Sequence, residues 1–167
     1  MRISSIPAVP PCSPVRRQRS PSEKPGVKYA MIITCGVIIT NGASMLIAHP
    51  TSNRHWDIPK GRQEPGESLA ETASRELREE TGLIISSDRL RYLGTFDYKA
   101  DKRLALFRYD TTDMPNPKEL HCSSEFERDG EMIREMDAFA VVGIGRALEM
   151  VYPALRPILD KVLNNEH

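Results

Sequence analysis

Apolar and β-branched residues crowd one early stretch of the chain, YAMIITCGVIIT from Tyr29 to Thr40, which predicts a strand. Asn41-Gly42 follows as a hairpin turn signal, and Ser44 to His49 reads as the returning strand. Leu90 to Lys99 and Leu104 to Tyr109 predict two more strands joined around Lys99-Ala100-Asp101-Lys102, and Phe139 to Val142 a short one. The apolar period changes between them. Leu69, Ala70, Ala73 and Leu77 recur at helical spacing and predict the buried face of a helix. Leu148, Val151, Leu155, Ile158, Leu159 and Val162 do the same within Gly145 to Leu163, where Pro153 and Pro157 should kink or divide a C-terminal helix. Asp110 to Asp129 is polar, carries Pro115 and Pro117, and reads as a long loop. A mixed sheet with one helix on each side gives an α/β protein, an α/β/α sandwich.

Polar positions on the first helix carry the chemistry. Ser68 is an N-cap and Glu71, three residues on, completes a capping box. Gly82 stops the helix. At about 100° per residue, Glu76 and Glu80 fall beside or on the apolar stripe, and Glu79 lies next to Glu76. Such crowded like charges repel, and burying them is costly. A hard divalent cation resolves the conflict, because Mg2+ takes oxygen ligands and binds through carboxylates plus substrate phosphates.

The stretch Gly61 to Leu83, GRQEPGESLAETASRELREETGL, resembles the Nudix box G-x5-E-x7-R-E-U-x-E-E-x-G-U, with U a bulky aliphatic. The match runs through Gly61, Glu67, Arg75, Glu76, Leu77, Glu79, Glu80, Gly82 and Leu83 without a departure. Looser similarity, including WDIPKG before the box, extends from about Tyr29 to the C-terminus. The resemblance implies the Nudix sandwich and a pyrophosphohydrolase that cleaves a nucleoside diphosphate linked to another group, by attack of water at phosphorus. It implies Glu76, Glu79 and Glu80 as ligands of Mg2+, or of Mn2+ in its place, with the backbone carbonyl of Lys60 as a further ligand. Arg75 and Glu67 resemble the family's supporting pair, which holds the box loop against the helix. Glu135 resembles a glutamate that many relatives use as an additional ligand; Glu125, Glu127 and Glu131 are its rivals.

Substrate choice rests on finer similarities. Tyr98 resembles a tyrosine that dinucleoside polyphosphate hydrolases carry there, able to stack on a base. No proline lies between Leu83 and Met114, where ADP-ribose pyrophosphatases tend to have one. Lys60, Arg62, Lys99, Lys102 and Arg103 are candidates for extra phosphates. Dinucleoside polyphosphates come first, then nucleoside triphosphates, oxidised ones included, then ADP-ribose or an RNA 5′ end. A Nudix-fold binding or regulatory module without catalysis is the alternative of another class.

Composition adds limits. Lys+Arg and Asp+Glu balance at 23 each, so net charge singles out no polyanionic partner. Residues 1–28 are rich in Pro, Ser and Arg and predict a disordered tail before a domain at 29–167. A translation start at Met31 and an organelle transit peptide are the alternatives for that tail, its prolines arguing against the latter. Cys12, Cys35 and Cys122 are odd in number and form no CxxC pair, which suits unpaired thiols in a reducing, cytoplasmic compartment. Four scattered histidines imply no zinc site. No apolar run reaches the roughly 20 residues of a membrane span. The expected partner is a small nucleotide, and the expected assembly a monomer or homodimer.

Overall fold

A computed structural model of the chain describes residues 30–165. The tail expected at 1–28 lies outside the described residues. Strand β1 (Ile32–Thr40) is the centre of a mixed sheet. It runs parallel to β5 (Lys102–Asp110) in a single register, from Ile32↔Lys102 to Thr40↔Asp110. β4 (Arg91–Lys99) pairs antiparallel with β5 outside it.

On the other edge, β1 and β2 (Ser44–Pro50) part soon after their turn. Asn41 Oδ1 accepts from the amides of Ala43 and Ser44 at 3.0 and 2.7 Å, and Gly42 takes φ +92°. The two strands meet at Thr40↔Met45, and β2 then pairs antiparallel with β8 (Met136–Gly143). Residues 57–62 fill the opening. Ala48 and Asp57 exchange both backbone hydrogen bonds at 2.8 Å, and Val37 donates to the Pro59 carbonyl at 3.0 Å. A proline is tolerated there because only its carbonyl is needed. Strand β3 (Lys60–Arg62) ends the insertion, paired with β1 from Gly36↔Lys60 to Thr34↔Arg62.

The alternation along β1 divides the core in two. Cys35, Val37 and Ile39 pack with Ala73 and Leu77 of helix α1 (Leu69–Thr81). Ile38, Leu104 and Leu106 pack with Leu155, Ile158 and Leu159 on the opposite face. This is the predicted α/β/α sandwich.

One expectation holds in detail and two change. The C-terminal helix is divided, as its prolines required, into α2 (Ile144–Met150) and α3 (Arg156–Asn164). Pro153 lies in the break and Pro157 in the first turn of α3, where no amide is needed. Arg156 then donates to the Leu148 and Glu149 carbonyls at 2.6 and 3.2 Å, satisfying the end of α2. The polar stretch 110–129 is not one loop. It contains a short 3-10 turn at Pro117–Glu119 and strand β6 (Glu125–Arg128), which forms a hairpin with β7 (Glu131–Arg134). Asp129 and Gly130, at φ +53° and +81°, supply the left-handed pair that a tight hairpin turn needs. β8 begins at Met136 rather than Phe139, because Met136 and Ala138 continue the pairing toward Pro50 and His49. Among the described residues no helix is long and apolar enough to cross a membrane.

Candidate active site

Both ends of α1 are fixed. The capping box is complete: the Glu71 amide donates to Ser68 Oγ at 3.1 Å, and the Ser68 amide to Glu71 Oε2 at 2.8 Å. Gly82, at φ +80°, donates to the Arg78 carbonyl at 2.8 Å. The segment before β6 satisfies further carbonyls: Ser123 donates to Glu79 at 2.7 Å and His121 to Thr81 at 3.1 Å. The helix therefore presents its carboxylates on a fixed base.

Glu76 and Glu80 point inward, only 8% and 3% exposed, whereas the Glu79 side chain remains more open. Glu80 Oε2 accepts from the Lys60 amide at 3.0 Å. Gly61 makes room for Glu76: a β-carbon there would stand 1.9 Å from the Glu76 carboxyl carbon. Burial pushes the Glu76 carboxyl above the usual range, with Glu79 and Glu135 adding to the rise and Arg75 opposing it. Burial pushes Glu80 further still, against the pull of Lys60.

Arg75 binds the box loop to the helix. It donates to both oxygens of Glu67, at 2.6 and 3.1 Å, and to the Arg62 carbonyl at 3.0 Å. The same guanidinium reaches Glu76 Oε1 at 2.8 Å and Glu79 Oε2 at 3.2 Å. Thr72 and the Glu64 amide also donate to Glu67. The Arg75 and Thr72 hydrogen bonds hold the Glu67 carboxyl at about 2.

A cleft of about 410 Å3 opens beside this edge, lined by Lys60, Glu80, Tyr98, Lys99 and Glu135 among others. Lys60 does not extend freely into it. Its Nζ is 2.7 Å from Oδ2 of Asp57, a residue 2% exposed. Burial opposes the Lys60 charge, but Asp57 prevails and raises its pKa above that of an ordinary lysine. Lys99 lies over the rings of Tyr98 and Tyr152, at 5.2 and 5.8 Å. Glu135 enters between β7 and β8, its Oε2 accepting from Ser124 Oγ at 3.3 Å. Its rivals Glu125, Glu127 and Glu131 sit on the exposed hairpin.

The structure thus brings Lys60, Glu80, Tyr98, Lys99 and Glu135 to one cleft. It places Arg62 in a neighbouring one of about 610 Å3, with Gln63, Glu64, Pro65 and Glu76. Lys102 and Arg103 line neither. The sequence reading missed Asp57, Tyr152, Phe126 and Arg128, which also line the Tyr98 cleft. The i,i+3 spacing of Asp57 and Lys60 was a signal; Tyr152, at the helix break, gave none.

The donors suit a hard divalent cation. They are carboxylate oxygens, two of them buried against their own repulsion, and Gly61 leaves the hollow that Glu76 fills. Arg75 meets part of that charge, and among the described residues no three Asp, Glu, His or Cys side chains form a finished cation cage.

Comparisons with known proteins bear on the family and the fold. The family model of the NUDIX domain matches residues 32–149. An uncharacterised 17.7 kDa protein of Enterobacteria phage T4 is 35% identical over 145 residues, 78% of this chain and 94% of that protein. The mouse asymmetrical bis(5′-nucleosyl)-tetraphosphatase is 62% identical over 32 residues, 19% of this chain and 22% of that one. Among solved structures, the NUDIX domain of Shewanella oneidensis NrtR, complexed with ADP ribose, superposes with a TM-score of 0.60 at 14% identity, covering 86% of this chain and 92% of that one. That last similarity is one of fold. Nudix hydrolases generally use divalent metal ions. With its box complete and two of its carboxylates buried on one helix edge, the chain belongs to the Nudix family and is a hydrolase of pyrophosphate bonds.

Proposed function

We propose that the chain is a Mg2+-dependent pyrophosphohydrolase of dinucleoside polyphosphates, with Mn2+ able to substitute. One observation carries the substrate reading: Tyr98 and Lys99 share a single cleft with Glu80 and Glu135. A nucleoside phosphate can there meet an aromatic ring and a cation beside the carboxylates. The similarity over 32 residues to the mouse asymmetrical bis(5′-nucleosyl)-tetraphosphatase supports the same choice. The unpaired thiols Cys35 and Cys122 support a reducing, cytoplasmic setting.

The residues divide the work. Glu76, Glu79, Glu80, the Lys60 carbonyl and Glu135 would hold the metal. When bound, the metal supplies charge neutralisation at phosphate oxygens and acidifies water. The Lys60 amide orients Glu80, and Gly61 admits Glu76. Arg75 and Glu67 fix the loop before the helix, leaving positioning rather than covalent work to the protein. Tyr98 stacks on a base.

The test is kcat/KM at fixed Mg2+ for diadenosine tetraphosphate, a nucleoside triphosphate and ADP-ribose, in wild type and Tyr98→Ala. The tetraphosphate is expected to lead. Tyr98→Ala is expected to raise its KM about tenfold and change kcat less, as loss of a stacking contact does. A lead for ADP-ribose defeats the substrate reading. Unchanged kinetics in Tyr98→Ala reduce the tyrosine to a strand aromatic.

A further inference from the structure

The cleft contains three side-chain cations, Lys60, Lys99 and Arg128, and they are not equivalent. Lys60 is committed to the buried carboxylate of Asp57 at 2.7 Å. Its charge is already met, so an incoming phosphate gains little from it. Lys99 and Arg128 instead rest on aromatic rings, with no carboxylate at ion-pair distance among the described residues. Lys99 covers Tyr98 and Tyr152; Arg128 lies 5.0 Å from the centre of the Phe126 ring.

Arg128 is also held in place. It ends β6 at the Asp129-Gly130 turn, and its Nη1 donates to Ser52 Oγ at 3.0 Å. Ser52 itself takes φ +63° in the loop after β2. A guanidinium has five N–H donors in a planar fork, the geometry that binds phosphate oxygens bidentately. Stacked on Phe126 and tied through one nitrogen, Arg128 loses little freedom on binding and retains donors for a ligand.

From this we infer that Arg128, on the β6–β7 hairpin, reads the number of phosphates: together with Lys99 it binds phosphates beyond the pair at the scissile bond. The inference rests on the polyphosphate reading above and names the residue that sets chain-length preference within it. A two-phosphate linker is met by the box edge alone, whereas a longer one reaches Arg128.

The experiment uses the full chain and a series of rising phosphate number: ADP-ribose, diadenosine triphosphate and diadenosine tetraphosphate. Wild type, Arg128→Gln and Arg128→Lys are compared at fixed Mg2+, with melting temperature as the folding control. In Arg128→Gln, KM for the tetraphosphate is expected to rise about tenfold, the order expected of a charge-assisted hydrogen bond. The rise is expected to be smaller for the triphosphate and under about twofold for ADP-ribose, with kcat moving less than KM. Arg128→Lys is expected to recover part of the loss, since the charge remains without the fork. An equal loss across the series, or no loss at all, overturns the inference. The two readings fail separately. If wild type prefers ADP-ribose while the mutant-to-wild-type ratio still grows with phosphate number, only the substrate reading falls. If the tetraphosphate leads but the ratio is flat, only the role of Arg128 falls.

Discussion

Glu67 and Glu76 are both carboxylates of the box, and their surroundings drive them in opposite directions. Burial pushes Glu76 up, whereas hydrogen bonds from Arg75 and Thr72 hold Glu67 at about 2 against an ordinary 4.5. The Glu67 shift links the fold to pH. Its folded value is depressed, so its stabilisation is complete above about 4.5 and is lost as the pH falls from there through about 2. Acid unfolding followed by circular dichroism is expected to show that limb in wild type. In Glu67→Gln stability near neutrality is expected to be lower and its fall between pH 4.5 and 2 shallower; an unchanged slope would show that Arg75 does not hold Glu67 so tightly. The inward placement of Glu76 and Glu80 was legible from helical spacing alone. The neutralisation of Lys60 by Asp57 was not, since a lysine before a box reads equally well as a phosphate ligand.

At the level of elements, local signals were the legible ones. The Ser68–Glu71 capping box and the Gly82 stop are written within α1, and the prolines that divide the C-terminal helix lie at the break itself. Partner choice was not legible. Nothing in Ser44 to Pro50 says that β2 leaves β1 and pairs with β8, because either partner would bury the same apolar residues. The β6–β7 hairpin was missed because strands of four residues each, mostly polar and exposed, carry too little alternation to stand out. Its Asp129-Gly130 turn was the overlooked signal. The close approach of β3 to α1 makes its own prediction. In Gly61→Ala the new methyl would occupy the place of the Glu76 carboxylate. Turnover is expected to fall at least ~10²-fold, as loss of a preorganised charge does, while near-wild-type secondary structure remains. Full activity in this variant would mean that Glu76 can leave its place without consequence.

Across the whole molecule, the insertion of residues 57–62 between β1 and β2 assembles the site. It sets the Lys60 amide on Glu80 and Gly61 on Glu76, while β4 brings Tyr98 and the β7–β8 junction brings Glu135. These segments are far apart in sequence, so the box was readable as a motif but the cleft opposite it was readable only in part. We propose that the carboxylate edge of α1 performs metal-dependent hydrolysis. The most direct test of this claim is turnover of diadenosine tetraphosphate against Mg2+ concentration, in wild type and in Glu80→Gln. The amide keeps the size of Glu80 and an oxygen for the Lys60 N–H, so the fold is expected to persist. Wild-type turnover is expected to vanish on chelation and return with Mg2+. Glu80→Gln is expected to remain at least ~10²-fold slower even at saturating Mg2+, since metal-centred charge stabilisation is worth several kcal/mol. Near-normal turnover of Glu80→Gln at saturating Mg2+, or wild-type turnover that survives chelation, would contradict the claim.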